Sequence, residues 1–312
     1  LSILTQREIW KRKMMKYLDN DFKKIIFCPM CNEDKTDFLY EISTGGSDDF
    51  EGEEFQRTVK VLKCKKCGFV FSNEILSESG NSKFWKNYSS RCHENNEEAI
   101  RKRNDMYRIE YEFISQFLAK ESLRVLDVGC GEGGFLDCFV GAKRQGVELG
   151  EEAALKASSK YKVYQGEFPA IDFEEKFDLV IFRGSLQYFD EPKKYLVKAN
   201  EILNNGWLLY ITSTPNAEGF CAKLFKEYFS FAVCAVAGNG FSPYVLTNFL
   251  QELNFELCAE KYFYESTPYC NIQEDVKKVT MAIEKRERGE KIEFRSPAFW
   301  GNMMSLVYRK KS

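Results

Sequence analysis

Val125-Leu126-Asp127-Val128-Gly129-Cys130-Gly131-Glu132-Gly133-Gly134-Phe135-Leu136 is a short apolar run with an acid near its end, then four glycines, then the start of a new apolar pattern. It reads as a strand, a tight turn and the start of a helix over 135–143. The glycines belong there because the backbone must turn sharply and let a ligand approach to contact distance, and a Cβ would obstruct both.

Glycine spacing alone leaves two ligand classes open. Gly129, Gly131 and Gly134 satisfy the dinucleotide pattern GxGxxG, with Glu148 near the expected distance downstream. Asp127 separates the two. A carboxylate just ahead of the first glycine would face a pyrophosphate across a partly desolvated cleft, a repulsion of roughly 4 kcal/mol at about 4 Å and an effective dielectric near 20. The same carboxylate suits a cation, and S-adenosylmethionine carries an ammonium and a sulfonium with no phosphate.

Three segments in order, VLDVGCGEGGFL at 125–136, GVELGEEA at 146–153 and FDLVIFRGSLQYFDEP at 177–192, resemble the class I S-adenosylmethionine-dependent methyltransferases over roughly residues 97–312. The resemblance implies an α/β Rossmann-like sheet, mostly parallel with its last strand antiparallel. It also implies a cofactor site on Asp127, Gly129, Gly131 and Gly133. Glu148 would take the ribose hydroxyls, Leu149, Glu167 and Phe168 would surround the adenine, and Arg183 would stand at the end of the fourth strand.

Upstream, Cys28-Pro29-Met30-Cys31 and Cys64-Lys65-Lys66-Cys67-Gly68 form two CxxC knuckles. Strand-like runs at 38–42 and 55–62, joined by an acidic loop, lie between them. Four thiolates in this layout suit a closed, structural zinc site in a ribbon, with no position left for a reactive water. Four separate buried cysteines are the plainer reading, but it leaves the paired spacing unexplained.

The 312 residues carry a net charge of −2, which argues against a broad nucleic-acid-binding face. No apolar run is long enough for a membrane span, and the first twenty residues lack the continuous apolar segment of a signal peptide. With eleven cysteines and no such signal, a reducing cytoplasm is expected. The division expected is an N-terminal helix at 1–24, a zinc ribbon at 25–72, a linker or lid at 73–96 and a methyltransferase domain at 97–312.

Helical spacing is expected over 97–120, where apolar residues return every three or four positions, and strands over 145–148, 162–165, 177–182, 207–212, 255–263 and 303–308. Ser242 followed by Pro243 predicts a capped helix start. Candidate bases are Tyr188, Asp190 and His93, although His93 is more simply a surface histidine. Relatives with a similar ribbon carry a Glu-His pair where this chain has Gln187-Tyr188, and a histidine before the Phe241-Ser242-Pro243 segment is absent here.

The ribbon layout is similar to bacterial enzymes that methylate sugars in polysaccharide or secondary-metabolite pathways. That resemblance implies a small-molecule acceptor, a nucleotide-linked sugar or related metabolite. A ribosomal RNA base methyltransferase and a non-catalytic binding module are the competing readings. Oligomeric state is not legible in the chain.

Overall fold

In the computed structural model, residues 15–44, 53–54, 57–86, 96–118 and 122–312 are described. The N-terminal part holds strands β1 (Met15–Lys16), β2 (Phe22–Lys24), β3 (Thr36–Thr44), β4 (Glu53–Glu54), β5 (Arg57–Cys64), β6 (Val70–Ser72) and β7 (Glu74–Leu76). Thus residues 15–24, expected as the end of a helix, form two short strands and a 3-10 turn at Asp19–Asp21 instead. The reason is tertiary: β2 pairs antiparallel with β7, so its backbone groups are met across the chain rather than along it.

The rest contributes β8 (Arg124–Val128), β9 (Lys143–Glu148), β10 (Lys162–Gln165), β11 (Phe177–Arg183), β12 (Leu203–Pro215), β13 (Asn239–Gly240), β14 (Phe255–Lys261) and β15 (Met303–Lys310). Seven of these make one sheet in the order β10-β9-β8-β11-β12-β15-β14. The neighbours from β10 through β12 run parallel, and β15 lies antiparallel between β12 and β14, as expected.

The central stretches of β8, β11 and β12, Val125–Leu126, Leu179–Phe182 and Leu208–Ile211, are apolar on both faces because both are covered. Alternate residues divide between the two sides. Val125, Leu179, Ile181, Leu208, Tyr210 and Val307 pack under the helix Glu97–Ser115, whose Ile114 is fully buried. Leu126, Val128, Val180, Phe182, Leu209, Ile211, Leu306 and Tyr308 pack beneath the helices Pro192–Ile202 and Pro243–Glu252. Ser242 caps the latter by accepting a hydrogen bond from Val245 N, and Asn96 caps the leading helix through Ala99 N.

The expected helix over 135–143 does not form. A 3-10 turn at Leu136–Cys138 takes its place, between Gly133 at φ +81° and Gly141 at φ +84°. Left-handed residues at both ends of so short a link leave no room for α-helical turns. Phe135, Leu136 and Phe139 are buried all the same and fill the space beneath the leading helix.

Cys28, Met30, Cys64, Phe69 and Phe71 belong to the same apolar cluster as Leu126, Val180 and Leu306, so the ribbon is built onto the sheet's core. Its own sheet, β13-β6-β5-β3, takes in a strand from the distant segment 239–240. Residues 217–241 supply the helix Phe220–Phe225 as well as that strand. The segment 73–96, expected as a linker or lid, contains β7 and the helix Glu78–Lys86 in its described portion.

Candidate active site

Strand β8 lies between β9 and β11, where the chain's crossovers change direction, and open α/β sheets bind ligands outside the carboxyl ends of the strands at such a point. The glycine turn leaves β8 here, tied down by Gly129 N and Cys130 N, which both donate to Val147 O at 2.8 and 3.0 Å. Gly129 has φ +78°, and a Cβ on it would sit 2.7 Å from that of Ser185. Gly131 (φ +56°) has no atom within 4 Å of where a Cβ would be, so its backbone faces open space.

That space is a cavity of about 460 Å³. Asp127, Gly129, Gly131, Glu148, Leu149, Glu167, Phe168 and Arg183 line it, as do Tyr188 and Asp190. Gly133 does not line it: its open side faces the Tyr161 ring and Ala157, so its part is in the turn's packing. His93 lies outside the described residues. Residues not foreseen at the cavity include Asn81, Trp85 and Tyr107.

Asp127 is the most exceptional group. It is 2 % exposed, and its Oδ1 has no hydrogen-bond partner. Burial pushes its carboxyl up to about 7; Arg183 opposes the rise, and the charges of Glu148 and Glu110 add to it. An unsatisfied buried carboxylate beside an open cradle fits a cationic ligand group. Glu148 accepts from Gly131 N at 2.8 Å and from Gly150 N at 2.7 Å, so its carboxylate joins the two turns while bordering the cavity. Burial raises its pKa, and those amides act against the rise.

Arg183 is not a free cation. Its Nε donates to Glu110 Oε2 at 2.6 Å, and its guanidinium lies 4.3 Å from the centre of the Tyr107 ring. Glu110 is fully buried, and Thr212 Oγ1 and Ser213 Oγ donate to its other oxygen at 2.9 and 2.5 Å. Sequence reading missed Glu110, although Tyr107, Glu110 and Ile114 share the spacing of one helix face and an acid on that face needs a partner.

Elsewhere in the cavity wall, Trp85 meets Tyr188 edge to face at 5.1 Å between ring centres. Asp190 is held by Lys23 Nζ at 2.7 Å. Burial, and after it the charge of Asp190, raise the pKa of Glu167, which puts Asp190 on the Glu167 side of the cavity.

The four ribbon cysteines converge. All their sulfurs lie within 4.8 Å of one another, and Cys28–Cys67 and Cys31–Cys64 are each 3.5 Å apart. Zn–S bonds of about 2.3 Å place tetrahedral sulfurs about 3.8 Å apart, so the group fits such an ion. Both knuckles close alike: Asn32 N donates to Cys28 O and Gly68 N to Cys64 O, with Asn32 and Gly68 in left-handed conformations. The hydrogen bond between Cys28 and Cys67 holds the Cys67 thiol down and drives that of Cys28 up.

A family model for the methyltransferase domain matches residues 99–260, more than half of the chain. A ubiquinone biosynthesis O-methyltransferase from Hydrogenovibrio crunogenus is 28 % identical over 127 residues, 36 % of this chain and 52 % of that protein. The chain therefore spans about half the length of the curated relative it matches. A SAM-dependent methyltransferase from Thermotoga maritima superposes with a TM-score of 0.51 at 17 % identity, covering 73 % of this chain and 100 % of the other. Magnesium protoporphyrin IX methyltransferase from Synechocystis, with S-adenosylhomocysteine bound, gives 0.51 at 10 % identity over 76 % and 100 %. At these identities the likeness is one of fold. Among the described residues no helix is long and apolar enough to cross a membrane.

Proposed function

The chain belongs to the methyltransferase domain family, and we propose that it moves a methyl group from S-adenosylmethionine to a small-molecule acceptor, a nucleotide-linked sugar or related metabolite. The observation that carries the reading is the buried, unpartnered Asp127 carboxylate beside an open glycine cradle, with Glu148 on the neighbouring strand end. When bound, S-adenosylmethionine supplies an electrophilic methyl group. The chain's residues have to hold, align and keep dry what meets there, which is catalysis by positioning.

In this reading Asp127 receives the cofactor's ammonium and Glu148 its ribose hydroxyls. Leu149, Glu167 and Phe168 border the adenine, and the Trp85–Tyr188 contact covers part of the cavity wall. An oxygen acceptor, as the name of the O-methyltransferase relative indicates for that protein, needs a proton acceptor as well. Of the candidates, Tyr188 is tied to Trp85 and Asp190 to Lys23. An acceptor that ionises by itself would ask least of this site. The four cysteines hold a structural zinc ion, since four thiolates close its coordination sphere.

The test is methyl transfer from labelled S-adenosylmethionine into a cell lysate, fractionated into small molecules, nucleic acid and protein. Label among the small molecules is expected. Label in RNA that ribonuclease removes, or no label in any fraction while the cofactor binds, would overturn the proposed acceptor class.

A further inference from the structure

A cavity of about 460 Å³ is at the small end of ligand pockets and has room for one cofactor-sized molecule with little beside it. Transfer requires the acceptor atom in line and within about 3–3.5 Å of the carbon it attacks. The acceptor must therefore occupy a space that adjoins this cavity.

Such a space is present. A second cavity, of about 850 Å³, shares Arg103 and Arg183 with the first, so the two adjoin at those side chains. One wall is a face of the leading helix, with Ala99, Arg103, Met106 and Glu110 at helical spacing. Ser213 and Ser305 of β12 and β15 lie at the sheet end, and the far wall is aromatic: Phe231, Phe263, Tyr264, Tyr269 and Phe299.

We propose that this second cavity is the acceptor chamber and that it takes a planar ring joined to an anionic group; the inference rests on the methyl-transfer reading above. The aromatic wall offers stacking surface for a ring. The anion falls to Arg103, because the other cations nearby are engaged. Glu110 matches Arg183 at 2.6 Å and Glu98 matches Lys102 at 2.8 Å. Half-buried Arg103 makes no ion pair among the described residues. A guanidinium so placed is a fork for a carboxylate or a phosphate.

Both a nucleotide and an aromatic acid carry this chemistry, and two probes distinguish them. Protein saturated with S-adenosylhomocysteine is titrated calorimetrically with uridine 5′-diphosphate and with 4-hydroxybenzoate. We expect one of them to bind, and to bind about tenfold or more weakly to Arg103→Gln and Tyr269→Ala. The exposed rim position of Tyr269 makes its removal harmless to folding, and S-adenosylhomocysteine affinity in Tyr269→Ala should stay within about twofold of the parent. Probe affinity unmoved in both variants, displacement of S-adenosylhomocysteine by the probe, or no binding of either probe would each overturn the chamber while the cofactor reading stands. Failure of the parent protein to bind S-adenosylhomocysteine would overturn both.

Discussion

Asp127 gives the site a pH dependence with a definite sign. Its carboxyl titrates near 7 in the folded chain and near 4 unfolded. On its account the free protein's stability is full below pH about 4 and is lost as pH rises through about 7, because an ionised carboxylate is then left buried without a partner. A cationic ligand reverses that cost. Calorimetric affinity for S-adenosylhomocysteine should therefore increase as pH rises from 6 to 8, and Asp127→Asn should flatten the profile and weaken binding by about tenfold or more. A parent profile as flat as the variant's would refute the assignment. Glu148→Ala should weaken binding to a similar degree, with loss of the two amide contacts that join the turns. Glu110 answers a different question. Glu110→Gln leaves the buried Arg183 guanidinium without its hydrogen-bonded counter-charge, so urea unfolding should show a loss of about 3–5 kcal/mol; a change under about 1 kcal/mol would mean that the ion pair contributes little.

At the scale of elements, the turn Leu186–Tyr188 is held from the ribbon side. Strand β13 is paired to β6, and Asn239 Nδ2 donates to Gln187 O at 3.2 Å and to Phe189 O at 2.5 Å. Lys23, on β2, holds Asp190 from the same side. Asn239→Ala leaves those buried carbonyls without their donor, at a cost of about 1–3 kcal/mol. The Trp85–Tyr188 contact should loosen as a consequence, visible as a change in tryptophan emission, and identical spectra would show that the turn holds its own shape. The turn's contents were legible in the chain, since FDLVIFR reads as a buried strand and the residues after it as a loop at the ligand end. Its support was not, because Asn239 and Gln187 are far apart in sequence and no local pattern announces their contact. The expected helix over 135–143 is the converse case: Phe135, Leu136 and Phe139 are buried as a helix face would be, but left-handed Gly133 and Gly141 close the link before a helical turn can form.

At the scale of the molecule, the ribbon cysteines and the sheet share one apolar cluster. Metal analysis should find about one zinc per chain. Its removal by a chelator, or Cys64→Ser, should lower the midpoint of a single cooperative transition for the whole protein, because structural zinc contributes on the order of 10 kcal/mol to the fold that holds it. Two transitions, one of them unmoved, would instead make the ribbon an independent unit. The sequence by itself determined the sheet, the glycine turn with Asp127 and Glu148, and the paired cysteines, since each depends on residue types at short, regular spacing. Tertiary structure alone decided that the ribbon carries part of the site's support, that Glu110 rather than a ligand neutralises Arg183, and that a second cavity opens beside the first. Those outcomes depend on which surfaces meet when distant segments pack, and burial assigns a charge its partner only after they have met.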